Sequence, residues 1–217
     1  MRARIVEDDV DGRALAVATL RSGGVVALPT DTVYGIAVAM DTPNGIERLF
    51  DVKRRPLDKG IVLLLDDAAQ AGSIGVMGPA ATALAAALWP GGMTLVVPQR
   101  PDVAIPEVLT GGAPTIGLRV PDHATPRTLA QGVGPLPTTS ANVSGLPDAR
   151  DAAEILGQLG DGIDLILDGG PAHGGPASTV VDCTGERPVI LREGAIPAAR
   201  LAEVLDAAGV GHDLVRG

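Results

Sequence analysis

Val25-Val26-Ala27-Leu28-Pro29-Thr30-Asp31-Thr32-Val33-Tyr34-Gly35 is the stretch on which the fold turns. Its first four residues form an unbroken apolar run, the pattern of a strand buried on both faces, and Pro29 ends it. Short hydroxyl and carboxylate side chains follow, which favour turns. Residues 33–39 then read as a second strand. Upstream, Val10, Ala14, Leu15, Val17, Ala18 and Leu20 repeat at helical spacing over 9–21, and Gly23-Gly24 stops them. Helix, strand, polar loop and strand therefore succeed one another within thirty or so residues.

The same reading extends outward. Thr42-Pro43 predicts a helix start, with Thr42 as N-cap and Pro43 as first helical residue. Ile46, Leu49, Phe50 and Val52 share its apolar face, Lys53–Arg55 lie at its C-terminal end, and Pro56 closes it. Ile61–Leu65 is an apolar strand; 79–88 is an Ala/Leu helix ending at Trp89-Pro90-Gly91-Gly92. Strands are predicted at 93–97, 116–120, 136–139, 164–167, 178–183 and 188–192, and helices at 124–131, 151–159 and 197–208. Strands and helices mix without strict alternation. That argues for an α/β fold with a twisted, mixed sheet and flanking helices, not a regular doubly wound one. No repeat or long linker divides the 217 residues, so one domain is expected over 1–217, its core about 10–196, with a C-terminal helix and short tail.

Composition narrows the function. Hydrophobic residues make up 46% and charged residues 20%, which excludes a disordered chain. Tyr34, Phe50 and Trp89 are the only aromatics, too few for a base-stacking RNA platform. A net charge of −9 excludes a global basic field. The two lysines, Lys53 and Lys59, nevertheless sit together with Arg54 and Arg55, as a local anion site would require; a helix end complemented by cations explains the same cluster. The single cysteine, Cys183, lies in an apolar run and reads as a buried thiol, so disulfide scaffolds are excluded. No signal peptide or membrane span is legible, so a cytoplasmic protein is expected.

No P-loop, G-x-G-x-x-G, H-E-x-x-H or G-x-S-x-G is present, and His123, His173 and His212 are dispersed, so no metal site is expected. What stands out is hydroxyl and amide residues at strand ends: Thr30–Gly35, Thr138–Gly145 and Ser178-Thr179. Each alone reads as turn-making or capping. Three such clusters with one cationic cluster point instead to a site at strand ends. Cations without an obvious nucleophile suit a substrate that brings its own negative charge and reactivity, as in phosphoryl or nucleotidyl transfer. The residues themselves carry the reading to an anion or nucleotide site in an α/β domain.

Six motifs then resemble one family in the family's order: Thr30-Asp31-Thr32-Val33-Tyr34-Gly35, Lys53-x-Arg55-Pro56, Trp89-Pro90-Gly91-x-Met93-Thr94, Gly117-Leu118-Arg119-Val120-Pro121, Ser140-Ala141-Asn142-x-Ser144-Gly145 and Ser178-Thr179-Val180-Val181-Asp182. The chain resembles the YrdC/Sua5 family of L-threonylcarbamoyladenylate synthases, in their single-domain form. The resemblance implies a twisted α/β fold around a large, positively lined cavity. It implies that L-threonine, bicarbonate and ATP give threonylcarbamoyl-AMP and pyrophosphate, with Mg²⁺ accompanying ATP. The carboxylated threonine nitrogen itself attacks the α-phosphate, so no protein nucleophile is required. A separate tRNA threonylcarbamoyl transferase would consume the product to make N6-threonylcarbamoyladenosine at tRNA position 37, with weak tRNA contact at most by this chain.

Carried over on matching positions, the resemblance assigns Lys53 and Arg55 as the catalytic cations. Arg119 would pair with the threonine carboxylate, and Thr32, Thr138 and Ser178 would hydrogen-bond the amino acid. Lys53, Arg55 and Lys59 would hold the triphosphate; Ser140, Asn142, Asp148 and Arg192 would contact nucleotide or phosphate. Leu64 stands where some members place a polar residue. The competing readings are a paralogue with another acceptor and an RNA-binding or ribosome-maturation protein.

Overall fold

A computed structural model describes residues 3–172 and 175–214; His173, expected in a surface loop, lies outside the described residues. In chain order the elements are β1 (Arg4–Glu7), α1 (Val10–Arg21), β2 (Val26–Leu28), β3 (Gly35–Ala37), α2 (Gly45–Lys53), β4 (Val62–Leu64), a 3₁₀ turn (Ala68–Gln70), α3 (Ala71–Ile74), α4 (Pro79–Leu88), β5 (Met93–Pro98), α5 (Glu107–Thr110), β6 (Thr115–Arg119), α6 (Ala124–Val133), β7 (Leu136–Ser140), α7 (Ala152–Leu159), β8 (Leu165–Asp168), β9 (Thr179–Asp182), β10 (Val189–Arg192) and α8 (Ala198–Ala207). The predicted mixed α/β architecture is what the chain forms.

One sheet of ten strands runs β1-β8-β2-β3-β7-β4-β6-β5-β9-β10. β1, β8 and β2 are mutually parallel, as are β4 with β6 and β5 with β9. The remaining pairs, β2–β3, β3–β7, β7–β4, β6–β5 and β9–β10, are antiparallel.

The register sorts the side chains. Residues paired across adjacent strands share a face, and so do i and i+2. Ala37, Thr138, Val62, Gly117 and Val96 are linked in this way, so Ser140, Leu64, Arg119 and Thr94 share their face. On the opposite face Ile36, Leu63, Leu118, Leu95 and Val181 are fully buried in the main core, with Ile46, Leu49 and Phe50 of α2, Leu84 of α4, Ile155 of α7 and Leu201 and Leu205 of α8. On the first face a smaller core joins Ala16 and Leu20 of α1 and Leu129 and Ala130 of α6 to Leu28, Ala37, Leu64 and Leu136. Beyond it this face turns polar and carries the site.

Local chemistry sets the helix ends. Asp9 caps α1 by accepting from the Gly12 N–H at 2.7 Å, and Asp151 caps α7 by accepting from Glu154 at 2.8 Å. The expected start of α2 is corrected. Thr42 Oγ1 donates to the Ala39 carbonyl at 3.1 Å, Asn44 is the residue before the helix, and the helix begins at Gly45. Asn44 stands in the left-handed region at φ 60°, which breaks the helical path between Thr42 and the helix, and Thr42 instead closes the preceding turn, its carbonyl accepting from the Gly45 N–H at 3.3 Å. β1, α3 and α5 are four-residue elements that carry no periodic signal of their own. Cys183 is buried as expected, its thiol pushed up to about 12 by desolvation with Asp182 adding to the effect. Among the described residues no helix is long and apolar enough to cross a membrane.

Candidate functional site

A cavity of about 240 Å³ opens on the polar face of the sheet. It is lined by Thr30 and Thr32 from the loop after β2, Leu64 of β4, Thr94 of β5, Arg119 of β6, Thr138 and Ser140 of β7, Ser178 before β9 and Arg192 of β10, with Arg55 and Asp148 from loops. Six strands contribute at one level because their registers align these positions on one face. Three arginines against one aspartate give the lining a positive balance.

Arg119 anchors one wall. It is 6% exposed, and its guanidinium donates to three acceptors: Nη2 to Asp31 Oδ1 at 2.6 Å, Nη1 to Thr32 Oγ1 at 3.1 Å and Nε to the Gly91 carbonyl at 3.0 Å. Burial lowers its pKa below the ordinary guanidinium value, the Asp31 carboxylate opposes that shift, and nearby Arg192 adds to it. Thr30 organises the same loop: its Oγ1 donates to the Val33 carbonyl at 2.7 Å and accepts from the Thr32 N–H at 3.1 Å.

A second cluster faces it. The hydroxyls of Thr94 and Ser178 lie 2.9 Å apart, both buried. Arg192 donates through Nε and Nη2 to the Ser178 carbonyl, at 3.1 and 2.8 Å, and through Nη2 to Ser178 Oγ at 3.2 Å. A close backbone approach makes this possible. A Cβ on Gly194 would fall 2.1 Å from the Ala177 carbonyl oxygen, so a side chain there would push the 193–195 segment away from Ser178.

The cations after α2 separate. Arg54 ends the helix in the left-handed region, at φ 50°. Arg55 lines the cavity, its guanidinium folded onto the Lys59 and Gly60 carbonyls at 3.1 and 2.6 Å. Burial lowers its pKa, with Asp58 opposing. Lys59 is exposed on that loop. Lys53 points inward: its ammonium donates to the Ser140 carbonyl at 2.5 Å and to Asn142 Oδ1 at 2.8 Å.

The structure thus gathers Thr32, Arg55, Arg119, Thr138, Ser140, Asp148, Ser178 and Arg192 around one cavity. Lys53 and Asn142 stand behind its Ser140 wall, and Lys59 lies outside the lining. Asp31 and Thr94 escaped the residue-level reading of the sequence. Asp31 lay within the opening stretch, where a carboxylate set directly between two threonines was the available signal; Thr94 lay in the Trp89–Thr94 motif. A wider depression of about 610 Å³, lined by Val52, Arg54, Leu156 and residues 157–162 among others, contains none of the predicted site residues. Among the described residues no group of three or more His, Cys, Asp or Glu side chains is placed to hold a metal ion.

An α/β sheet that converges arginines and hydroxyls on one cavity has the chemistry of a small-molecule site with a positive lining. The chain belongs to the Sua5/YciO/YrdC family, whose model, described as telomere recombination, matches residues 18–194. It is 36% identical over 196 residues to a threonylcarbamoyl-AMP synthase of Bacillus subtilis, covering 88% of this chain and 56% of that one. It is 34% identical over 171 residues to the threonylcarbamoyl-AMP synthase of Photobacterium profundum, covering 74% of this chain and 88% of that one. The solved structure of Pyrococcus abyssi Sua5 complexed with L-threonine superposes with a TM-score of 0.88 at 30% identity, covering 98% of this chain and 63% of that one. The chain therefore spans a little over half the length of the Bacillus and Pyrococcus relatives.

Proposed function

We propose that this chain makes L-threonylcarbamoyl-AMP from L-threonine, bicarbonate and ATP, releasing pyrophosphate. The observation that carries this reading is Arg119. A guanidinium has five N–H donors. Three are committed to Asp31, Thr32 and Gly91, leaving one on each terminal nitrogen. Two donors on two adjacent nitrogens are what a carboxylate takes in a bidentate pair. A buried, pre-oriented arginine of this kind suits the amino-acid carboxylate. The naming of relatives as threonylcarbamoyl-AMP synthases, and the L-threonine bound to the Pyrococcus protein, support the choice of substrate.

Thr32, Thr138 and Ser178 would then surround the amino acid. Thr138 Oγ1 donates its proton to the Leu136 carbonyl at 2.9 Å, which leaves its lone pairs for a substrate donor. Arg55, Arg192 and Lys59 supply charge for the triphosphate and for departing pyrophosphate. Ser140, Asn142 and Asp148 form the nucleotide side. The cavity is small for a whole nucleoside triphosphate, so adenosine extends along the rim at Asp148, which is exposed.

In the reaction, the threonine nitrogen bonds the carbon of bicarbonate with loss of water. The expected attack by nitrogen is corrected on chemical grounds: a P–N bond would give a phosphoramidate, so an oxygen of the resulting carbamate attacks the α-phosphorus and the bond to pyrophosphate breaks. The protein's part is positioning and charge neutralisation. Mg²⁺ enters as part of the ATP substrate. The mixed anhydride produced is labile, so a separate tRNA threonylcarbamoyl transferase would consume it in forming N6-threonylcarbamoyladenosine, in the cytoplasm. The net charge of −9 supports weak tRNA contact at most by this chain.

The test is mass spectrometry of the product with ¹³C-bicarbonate. The expected adenylate carries the one-dalton shift and both the threonyl and AMP fragments. Hydrolysis of ATP to ADP, or an adenylate without the label, would contradict the proposal.

A further inference from the structure

Lys53 is the last residue of α2, yet it is only 2% exposed. Lysine is rarely this buried without a partner. Among the described residues Lys53 forms no ion pair with a carboxylate; its ammonium lies instead against three neutral oxygens, the Ser140 carbonyl at 2.5 Å, Asn142 Oδ1 at 2.8 Å and Ser140 Oγ at 3.3 Å. An ammonium has three N–H donors, so all three have acceptors inside the protein.

The turn it meets is tied from several sides. Ser140 Oγ donates to Asn142 Oδ1 at 2.6 Å, and Asn142 Nδ2 donates to the Leu146 carbonyl at 2.6 Å. The main-chain carbonyl of Lys53 accepts from the Ser144 N–H at 3.0 Å. One residue thus grips the 140–146 segment with both its side chain and its backbone. Ser140 lines the cavity, whereas Lys53 and Asn142 do not.

We propose that Lys53 is a positioning residue: it fixes Ser140 and Asn142, and through them the nucleotide-facing wall, without touching phosphate. The inference deepens the reading given under Proposed function and rests on it. It separates two cations that adjoin in sequence: Arg55 faces the cavity, and Lys53 braces the wall behind it.

A direct phosphate ligand and a wall brace differ in how their loss depends on phosphate number. Affinities for AMP and for MgATP are measured by titration calorimetry on wild type, Lys53→Met, Lys53→Arg and Asn142→Ala. The expected result is that Lys53→Met weakens both nucleotides by a similar factor, about tenfold. Lys53→Arg, which can donate to the same oxygens, recovers part of the loss. The double variant Lys53→Met/Ser140→Ala falls little below the weaker single one, because the two act as a unit. Loss of MgATP affinity with AMP affinity intact overturns the proposal in favour of a phosphate contact. Unchanged affinity for both nucleotides in a folded Lys53→Met protein overturns it as well. If Lys53→Met does not fold, Asn142→Ala reads the same wall: equal loss supports the proposal and ATP-only loss overturns it. A wild-type protein that binds neither nucleotide contradicts the underlying function, a result distinct from all of these.

Discussion

Asp31 and Arg119 meet at 2.6 Å, their side chains 14% and 8% exposed, and so join the loop after β2 to the end of β6. The carboxylate fixes one terminal nitrogen of the guanidinium while Thr32 fixes the other. The arginine is therefore oriented before any ligand arrives, which lowers the cost of capturing a carboxylate.

Arg119→Ala is expected to raise the KM for L-threonine by about a hundredfold, the order of a lost charge-assisted bidentate contact. The KM for ATP should change little. Arg119→Lys should rescue poorly, because an ammonium is a point charge without the planar fork. Steady-state pyrophosphate release with each substrate varied in turn checks this. Equal damage to both KM values would show that Arg119 does not serve the amino acid.

Asp31→Asn removes the charge facing Arg119 and keeps the shape. A charge-assisted hydrogen bond in a poorly hydrated position contributes about 2 kcal/mol, and the variant should lose roughly that much unfolding free energy in urea. L-Threonine affinity should fall as well, since the amide oxygen then holds Arg119 by a neutral hydrogen bond in place of a charge-assisted one. A variant as stable as wild type would mean the pair contributes nothing beyond its desolvation cost.

Lys53 gives a pH signature. Burial, with Arg55 adding repulsion and Asp148 opposing, brings its ammonium down from 10.5 to about 8. Between these values the unfolded chain binds more protons than the folded one. Stability therefore gains with rising pH across that window. Urea unfolding at pH 7.5 and 9.5 should show wild type gaining relative to Lys53→Met, in which the group is absent. Tyr34 and Cys183 titrate in both proteins and cancel in the comparison. A difference that does not move with pH would place the Lys53 pKa near its ordinary value.

Gly35 lines the cavity, and a Cβ there would fall 2.8 Å from Thr138 Cγ2. Gly35→Ala should displace Thr138 and raise the threonine KM more than the ATP KM, while the protein stays folded. Unaltered kinetics for both substrates would show that Thr138 yields without consequence.

Much of the fold could be read from the chain because its signals are local. The apolar runs at 25–28 and 61–65 and the helical spacing at 10–20 and 79–88 name their own elements. Residues Arg4–Glu7 did not, because an exposed four-residue edge strand has neither alternation nor a buried run. Register was also out of reach. That Thr138 pairs with Val62, and Leu64 with Arg119, depends on strands far apart in sequence. For this reason Arg119 could be named as a site residue while its partner Asp31 could not. Lys53 was read as a catalytic cation on the triphosphate, with a cation-complemented helix end as the competing reading; its burial was not legible, because it depends on α2 docking against the end of β7. The family resemblance named eight of the residues that line the cavity, and geometry separated Arg55, which faces it, from Lys53 and Lys59, which do not.

The most direct measurement is pyrophosphate release from ATP by the purified protein, run with and without L-threonine and with and without bicarbonate. A synthase that joins amino acid, bicarbonate and nucleotide in this cavity should release pyrophosphate only when all three are present, with Arg119→Ala restoring release only at high threonine. Release that ignores threonine or bicarbonate, or none from a folded protein under any combination, would contradict it.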